Sequence, residues 1–195
     1  MAPENPFADE AFARRYAQKH QKMARSFGEE YARKLAARGF DQGTILDAGC
    51  GFGGTLLYLV QHFPQASGVG LDASEPLLTM ARQAADVSGA ARRVRFEQAD
   101  VQAIPYPDDS FDVVISTNVV HHVPDPLGLL NELERVLTPQ GMLYVADIRR
   151  SWLPALFDKS FQKAMSMSEL MGLLSAAGWS RDWFTTGLLW WRYER

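Results

Sequence analysis

The chain reads as an α/β protein, a three-layer sandwich in which a mostly parallel sheet carries helices on both faces. Three observations predict this. From Thr44 onward, short apolar runs alternate with helical stretches, the pattern of parallel strands joined by crossover helices. The first run ends in "TILDAGCGFGG", where an acid is followed by four glycines within six residues, as in a ligand-binding strand-to-helix loop. Capping residues also stand where the helices should start and stop.

Taken in order, "FADEAFARRYAQKHQKMARSFGEEYARKLAARGF" at 7–40 has apolar and aromatic residues at helical spacing and predicts one or two helices closed by Gly39. Strands are placed at "TILDAG", "SGVGLD", "VRFEQAD", "FDVVIST" and "MLYVADI". Between them lie "TLLYLVQHF", "SEPLLTMARQAADV" with Ser74 as N-cap, and "DPLGLLNELERVL" with Asp125 as N-cap and Pro126 at the first helical position. "TPQG" then turns into the fifth strand. Ser166 and Glu169 have capping-box spacing before a helix that Gly178 closes, and the last seventeen residues predict an antiparallel hairpin around "TTG" at the sheet edge.

At 195 residues and 47% apolar composition the chain suits one domain, residues 1–40 serving as a helical lid segment and 41–195 as the ligand-binding domain. The longest apolar runs fall far short of the roughly 20 residues that span a bilayer. The N-terminus lacks an apolar signal region and carries early acids, so a soluble, cytoplasmic protein without membrane insertion is expected. A single cysteine, Cys50, excludes an intrachain disulfide and a cysteine-cluster zinc site. Net charge is −3, but residues 1–40 carry eight Lys/Arg against five Asp/Glu, residues 41–146 five against thirteen, and residues 147–195 seven against five. An acidic centre suits a cationic ligand and counts against nucleic acid, which asks for a basic stripe.

The loop glycines Gly49, Gly51 and Gly54 fit the G-x-G-x-x-G spacing of a phosphate cradle. A carboxylate at Asp47 is a poor neighbour for phosphate, however. Asp72 lies 23 residues past Gly49, where a strand-end acid can accept both hydroxyls of a ribose. Asp100 ends the third predicted strand, within reach of an adenine amino group, with Val101 and Ile104 for apolar contact. A ligand with adenine, ribose and a positively charged tail, and no phosphate, satisfies all three acids.

The sequence resembles the class I S-adenosylmethionine-dependent methyltransferases. The residues that carry the resemblance are "LDAGCGFG" at 46–53, "GLDAS" at 70–74, "EQADVQAIPYPDDSFDVVISTNVVHHVPDP" at 97–126 and "ELERVLTPQGMLYVAD" at 132–147, and it extends over roughly residues 44–195. It looks most like the branch that includes the ubiquinone and menaquinone methyltransferases. The resemblance implies a Rossmann-like fold with a seven-stranded sheet whose last strand is reversed, and S-adenosyl-L-methionine as cofactor. It places Asp47 and the backbone of Gly49, Gly51 and Gly53 around the methionine part, Asp72 on the ribose, Ala73 beside the adenine, and Asp100 and Val101 at the adenine. Thr117 and Asn118 correspond to positions facing the sulfonium and the amine; Phe52 and Tyr16 are weaker candidates.

Simpler readings stand beside these. Asp72 could be an N-cap partner of the Ser74 helix, and Asp100 could simply end a strand. His121 and His122 are the candidates for a general base, though such a pair often contains a packed or hydrogen-bonded histidine; with no further ligand pattern no metal is expected. Arg149 and Arg150 are candidate carboxylate anchors in the acceptor pocket, or a solvated rim. Trp179, Trp183, Trp190 and Trp191 suit edge-strand packing or a dimer contact. The expected activity is methyl transfer (EC 2.1.1) to a small organic acceptor, by a monomer or homodimer. "STNVVHH" lacks the Asn/Asp-Pro-Pro-aromatic sequence of enzymes acting on nucleobase amines. The rivals are a cofactor-binding or regulatory protein without catalysis, and a nicotinamide-dependent dehydrogenase, for which no Tyr-x-x-x-Lys pair is found.

Overall fold

A computed structural model describes residues 6–151 and 160–195. The chain divides into two compact units, Met1–Asp100 and Val101–Arg195. Seven strands form the sheet, in the order β3-β2-β1-β4-β5-β7-β6.

In the first unit a 28-residue helix, α1 (Glu10–Ala37), starts at Asp9, whose carboxylate accepts the Phe12 amide at 2.6 Å. The N-terminal periodicity thus resolves into one helix and not two. It is followed by β1 (Gln42–Ala48), α2 (Gly54–His62), β2 (Gln65–Asp72), α3 (Glu75–Ser88) and β3 (Val94–Gln98). β1 and β3 both pair in parallel with β2, in a register that sets Asp47 opposite Gly70 and Asp72 opposite Gln98. β1 is continuously buried from Ile45 to Ala48 and β2 from Gly68 to Leu71, as expected of strands covered on both faces. Leu46, Leu56, Leu59, Leu71, Leu78 and Ala81 are wholly buried in this core. Ser74 caps α3 as the sequence predicts, its hydroxyl accepting the Leu77 amide and donating to the Phe7 carbonyl at 2.6 Å.

In the second unit β4 (Phe111–Thr117) pairs in parallel with β5 (Leu137–Ile148). Between them α4 (Pro126–Val136) begins at Asp125, with Pro126 in the first turn. The predicted "TPQG" turn lies inside β5. Two steps along β4, from Phe111 to Val113, answer to five along β5, from Leu137 to Met142, so the extra residues bulge out of the ladder without ending the strand. A helical turn at Ser160–Lys163 precedes α5 (Met167–Ala176), whose capping box joins Ser166 and Glu169. β6 (Phe184–Thr186) and β7 (Trp190–Glu194) form the predicted hairpin, antiparallel to each other, and β7 is antiparallel to β5. Trp191 is 1% exposed and Trp179 6%, so these two indoles serve packing, whereas Trp183 is exposed. Among the described residues no helix is long and apolar enough to cross a membrane.

A steric constraint and a left-handed backbone coincide at Gly53, the N-cap of α2. Its φ is 76°, and a Cβ there would stand 2.7 Å from Phe96 Cζ and 2.9 Å from Ala81 Cβ. Gly53→Ala should therefore cost roughly 2–5 kcal/mol, adding about 1–2 for the left-handed backbone to about 1–3 for overpacking. Urea unfolding of the two proteins measures this directly.

Candidate functional site

The glycine loop after β1 is built by backbone hydrogen bonds. The amides of Gly49 and Cys50 both donate to the Leu71 carbonyl, at 2.7 and 2.9 Å, which folds the loop across the end of β2. Gly53 N–H donates to the Cys50 carbonyl at 2.9 Å and closes the turn. Gly51 N–H points the other way, to Asp72 Oδ2 at 2.8 Å, while Asp72 Oδ1 accepts Ser74 N–H at 2.9 Å. One carboxylate thus joins the loop, the end of β2 and the start of α3. Burial raises the pKa of Asp72, and these amide bonds, together with one from Ala73, pull it back.

The glycines of the loop divide by role. At Gly53 the neighbouring space is filled by Phe96, so that glycine serves packing. Gly51 differs: φ is 53°, and the nearest atom to a Cβ there is Leu77 Cδ1 at 3.9 Å, so its surface is open to a ligand. The sequence spacing alone cannot separate these two needs.

Asp47 is 4% exposed. Neither carboxylate oxygen accepts a hydrogen bond from any described residue. Burial, and then the charge of Asp72, push its pKa up from 3.8 to about 7. Asp47, Asp72 and the open Gly51 are brought together at the ends of the paired strands β1 and β2. Their chemistry fits a ligand carrying a cationic group.

Beside this loop, Phe7, Tyr16, Phe52 and Met80 pack against Ala13, Ala17 and Leu77, which sets the two weaker candidates, Tyr16 and Phe52, in one apolar cluster. Tyr16 meets Phe7 edge to ring at 5.1 Å and lies 4.1 Å from the His20 ring. Ala73 is exposed, and its carbonyl accepts Gln98 Nε2 at 2.9 Å. Asp100 is exposed two residues past the end of β3, so that strand is shorter than the sequence predicts.

In the second unit, Val101 and Ile104 are buried, at 7% and 4% exposure. What holds their loop is Arg135, whose guanidinium donates to the carbonyls of Ile104 and Tyr106 and pairs with Asp108 and Glu132. Glu132 in turn accepts Ile104 N–H at 2.7 Å. Asp108 therefore has a structural partner in Arg135. Thr117 ends β4, and Asn118 follows with φ of 62°, its amide donating to the Ala146 carbonyl at 2.9 Å. The left-handed turn at Asn118 is a conformation that asparagine tolerates better than most residues.

The two histidines have unlike surroundings. His121 is 4% exposed at its side chain, and Nδ1 lies 2.6 Å from Oδ1 of Asp147, itself 1% exposed. Asp147 also accepts the amides of His121 and Ile148, at 3.1 and 2.6 Å. His121 is thus the packed, hydrogen-bonded member of the pair. Asp147, whose role the sequence does not disclose, sets its orientation. The exposed His122 lies against it, ring centroids 3.9 Å apart. Lost hydration lowers the pKa of His122, with His121 and Lys163 acting in the same sense and Asp147 opposing. Of the two candidate anchors, Arg150 is committed: Nε donates to the Ala164 carbonyl at 2.8 Å and a terminal nitrogen pairs with Glu169 at 3.2 Å. Arg149 has no described carboxylate partner, and its amide donates to the Leu189 carbonyl at 2.8 Å. Part of the expected acceptor segment, residues 152–159, lies outside the described residues.

Residues 40–186 match the family described as methyltransferase domain. The chain is 40% identical over 103 residues to a demethylmenaquinone methyltransferase of Thermus thermophilus, a match covering 53% of this chain and 46% of that one. The crystal structure of a SAM-dependent methyltransferase from Aquifex aeolicus shares the fold, with a TM-score of 0.72 at 19% identity over 95% of this chain and 97% of that one. The structure of SpnF, a [4+2]-cyclase, aligns at a TM-score of 0.65 and 26% identity, covering 76% of this chain and 56% of that one. The chain belongs to the methyltransferase-domain family, of the class I S-adenosylmethionine-dependent kind. It spans 26–46% of the length of five curated relatives that it matches.

Asp47 also bears on stability. Its folded pKa of about 7 lies above the ordinary 3.8, so the folded protein holds the extra proton between those values. Its contribution therefore falls as pH rises from about 4 to about 7. Without ligand, Asp47→Asn should melt roughly 5 °C or more above the wild type near pH 8, and the gap should close near pH 4. Calorimetric melting of both proteins at the two pH values checks the sign.

Proposed function

We propose that this protein transfers a methyl group from S-adenosylmethionine to a small organic acceptor by in-line displacement. The observation that carries the reading is Asp47, a buried carboxyl with no donor among the described residues, beside the open Gly51. In this assignment Asp47 takes the ammonium of the cofactor, and the backbone of Gly49, Gly51 and Gly53 borders its methionine part. Asp72 accepts the ribose hydroxyls with the lone pairs that its two amide bonds leave over. Ala73, Asp100 and Val101 border the adenine, Thr117 and Asn118 face the sulfonium end, and Tyr16 of the N-terminal helical lid and Phe52 of the glycine loop form apolar cover.

The cofactor supplies a methyl group already activated by a cationic sulfur. The task left to the protein is orientation, which can supply about 7–11 kcal/mol. Where the acceptor must lose a proton, His122 is the exposed candidate base of the pair, and its pKa, lowered to about 4, makes it a weak one. His121 holds Asp147. Arg149 is the remaining candidate for an acidic acceptor.

A second reading keeps the cofactor site but not the methyl transfer. The aligned structure named as a [4+2]-cyclase supports it, because a related fold there has a different activity in its name.

A radiolabelled methyl-transfer screen against metabolite pools separates the two readings. Label in a small acceptor supports methyl transfer; cofactor binding with no labelled product favours the second reading. Asp72→Ala should weaken S-adenosylhomocysteine binding by at least about 1–3 kcal/mol in calorimetry, since it removes an acceptor from buried hydroxyls. Unchanged affinity would mean that the ribose lies elsewhere.

A further inference from the structure

We propose that the Asp47 carboxyl is protonated in the free protein and surrenders its proton when it receives the ammonium of the cofactor, so that cofactor binding releases a proton to solvent. The proposal rests on the reading that Asp47 meets the cationic end of the cofactor. What it adds is an exchange of one positive charge for another at a buried site.

The surroundings of Asp47 in the first unit lead there. The carboxyl is 4% exposed and receives no hydrogen bond from a described residue. The neighbouring acid, Asp72, has both oxygens on backbone amides, which favour its anion against the upward pull of burial. Cys50, between the two loop glycines, is buried with its thiol pKa pushed well up, so it is neutral and brings no compensating charge. Among the described residues, the guanidinium whose charge reaches Cys50 is that of Arg82 on α3, and it is committed to Glu75 and to the Phe96 carbonyl. An ionised Asp47 would therefore be a second buried anion beside Asp72, with no cation among the described residues to offset it. The neutral acid is the form this environment accepts, and the upward shift of its pKa points the same way.

When the ligand arrives, the carboxylic O–H breaks, the proton passes to solvent, and the carboxylate pairs with the ammonium. No other bond is made or broken. The net charge at the carboxyl is zero before and after, so the buried site is neutral in both states. An uncharged analogue would leave the acid protonated and would release nothing. Affinity for the cation should accordingly rise with pH through the range in which Asp47 titrates.

The test is titration calorimetry of the full chain with S-adenosylhomocysteine between about pH 5.5 and 8.5, in paired buffers of different ionisation enthalpy. For a group titrating about 7, Kd near pH 5.5 should be about thirtyfold weaker than near pH 8. The buffer dependence of the heat should report close to one proton released near pH 6 and almost none near pH 8.5. In Asp47→Asn both effects should vanish while binding weakens. A pH-independent Kd with buffer-independent heat in the wild type overturns the proposal, with or without the variant. So does an unaltered pH profile in Asp47→Asn. Absence of S-adenosylhomocysteine binding at every pH overturns the cofactor reading itself, an outcome distinct from binding with a flat profile.

Discussion

The carboxylate of Asp72 is the joint on which the first unit turns. It ends β2, accepts the amide of Gly51 on one oxygen and that of Ser74 on the other, and so fixes the glycine loop and the start of α3 from a single point. The conformation of the loop depends on this, because the Gly51 amide would otherwise lack its partner in a partly buried place. The start of α3 in turn fixes Ser74, whose hydroxyl reaches the Phe7 carbonyl and ties down the chain that leads into α1. A strand-end acid therefore has a structural duty before any ligand is present. The N-cap alternative and the ribose role are compatible, since each carboxylate oxygen has more than one lone pair.

Asp47 is the opposite kind of acid. Asp72 has both oxygens on backbone amides, whereas Asp47 is buried with no donor among the described residues, and the charge of Asp72 raises the cost of charge on it. Such a place is a poor use of a carboxyl for stability and a good one for recognition, since the free energy withheld in the free protein is recovered only when a cation arrives.

The second unit holds its loops by a different device. Arg135 gathers two carbonyls and two carboxylates around the segment from Val101 to Asp108, and Asp147 gathers three donors around His121. In both cases a charged group is spent on backbone geometry.

Much of the fold was legible in the sequence, because alternation of apolar runs, helix caps and turn residues are local signals. Asp125, Ser74 and the Ser166–Glu169 box all act where their spacing places them, and the terminal hairpin forms around its "TTG". "TPQG" was misjudged as a break because a bulge lets a strand assignment run through turn-like residues, which only pairing with β4 reveals. In the site, the order of acids and glycines in the sequence determined the ligand class, since charge type and spacing along strands survive without coordinates. Tertiary structure alone decided which glycine serves packing and which lies open, that Asp147 orients His121, that Arg150 is already committed, and that Asp47 has no donor among the described residues. Each of these depends on which groups meet across long sequence separations, and that is settled by packing and hydrogen bonding in three dimensions.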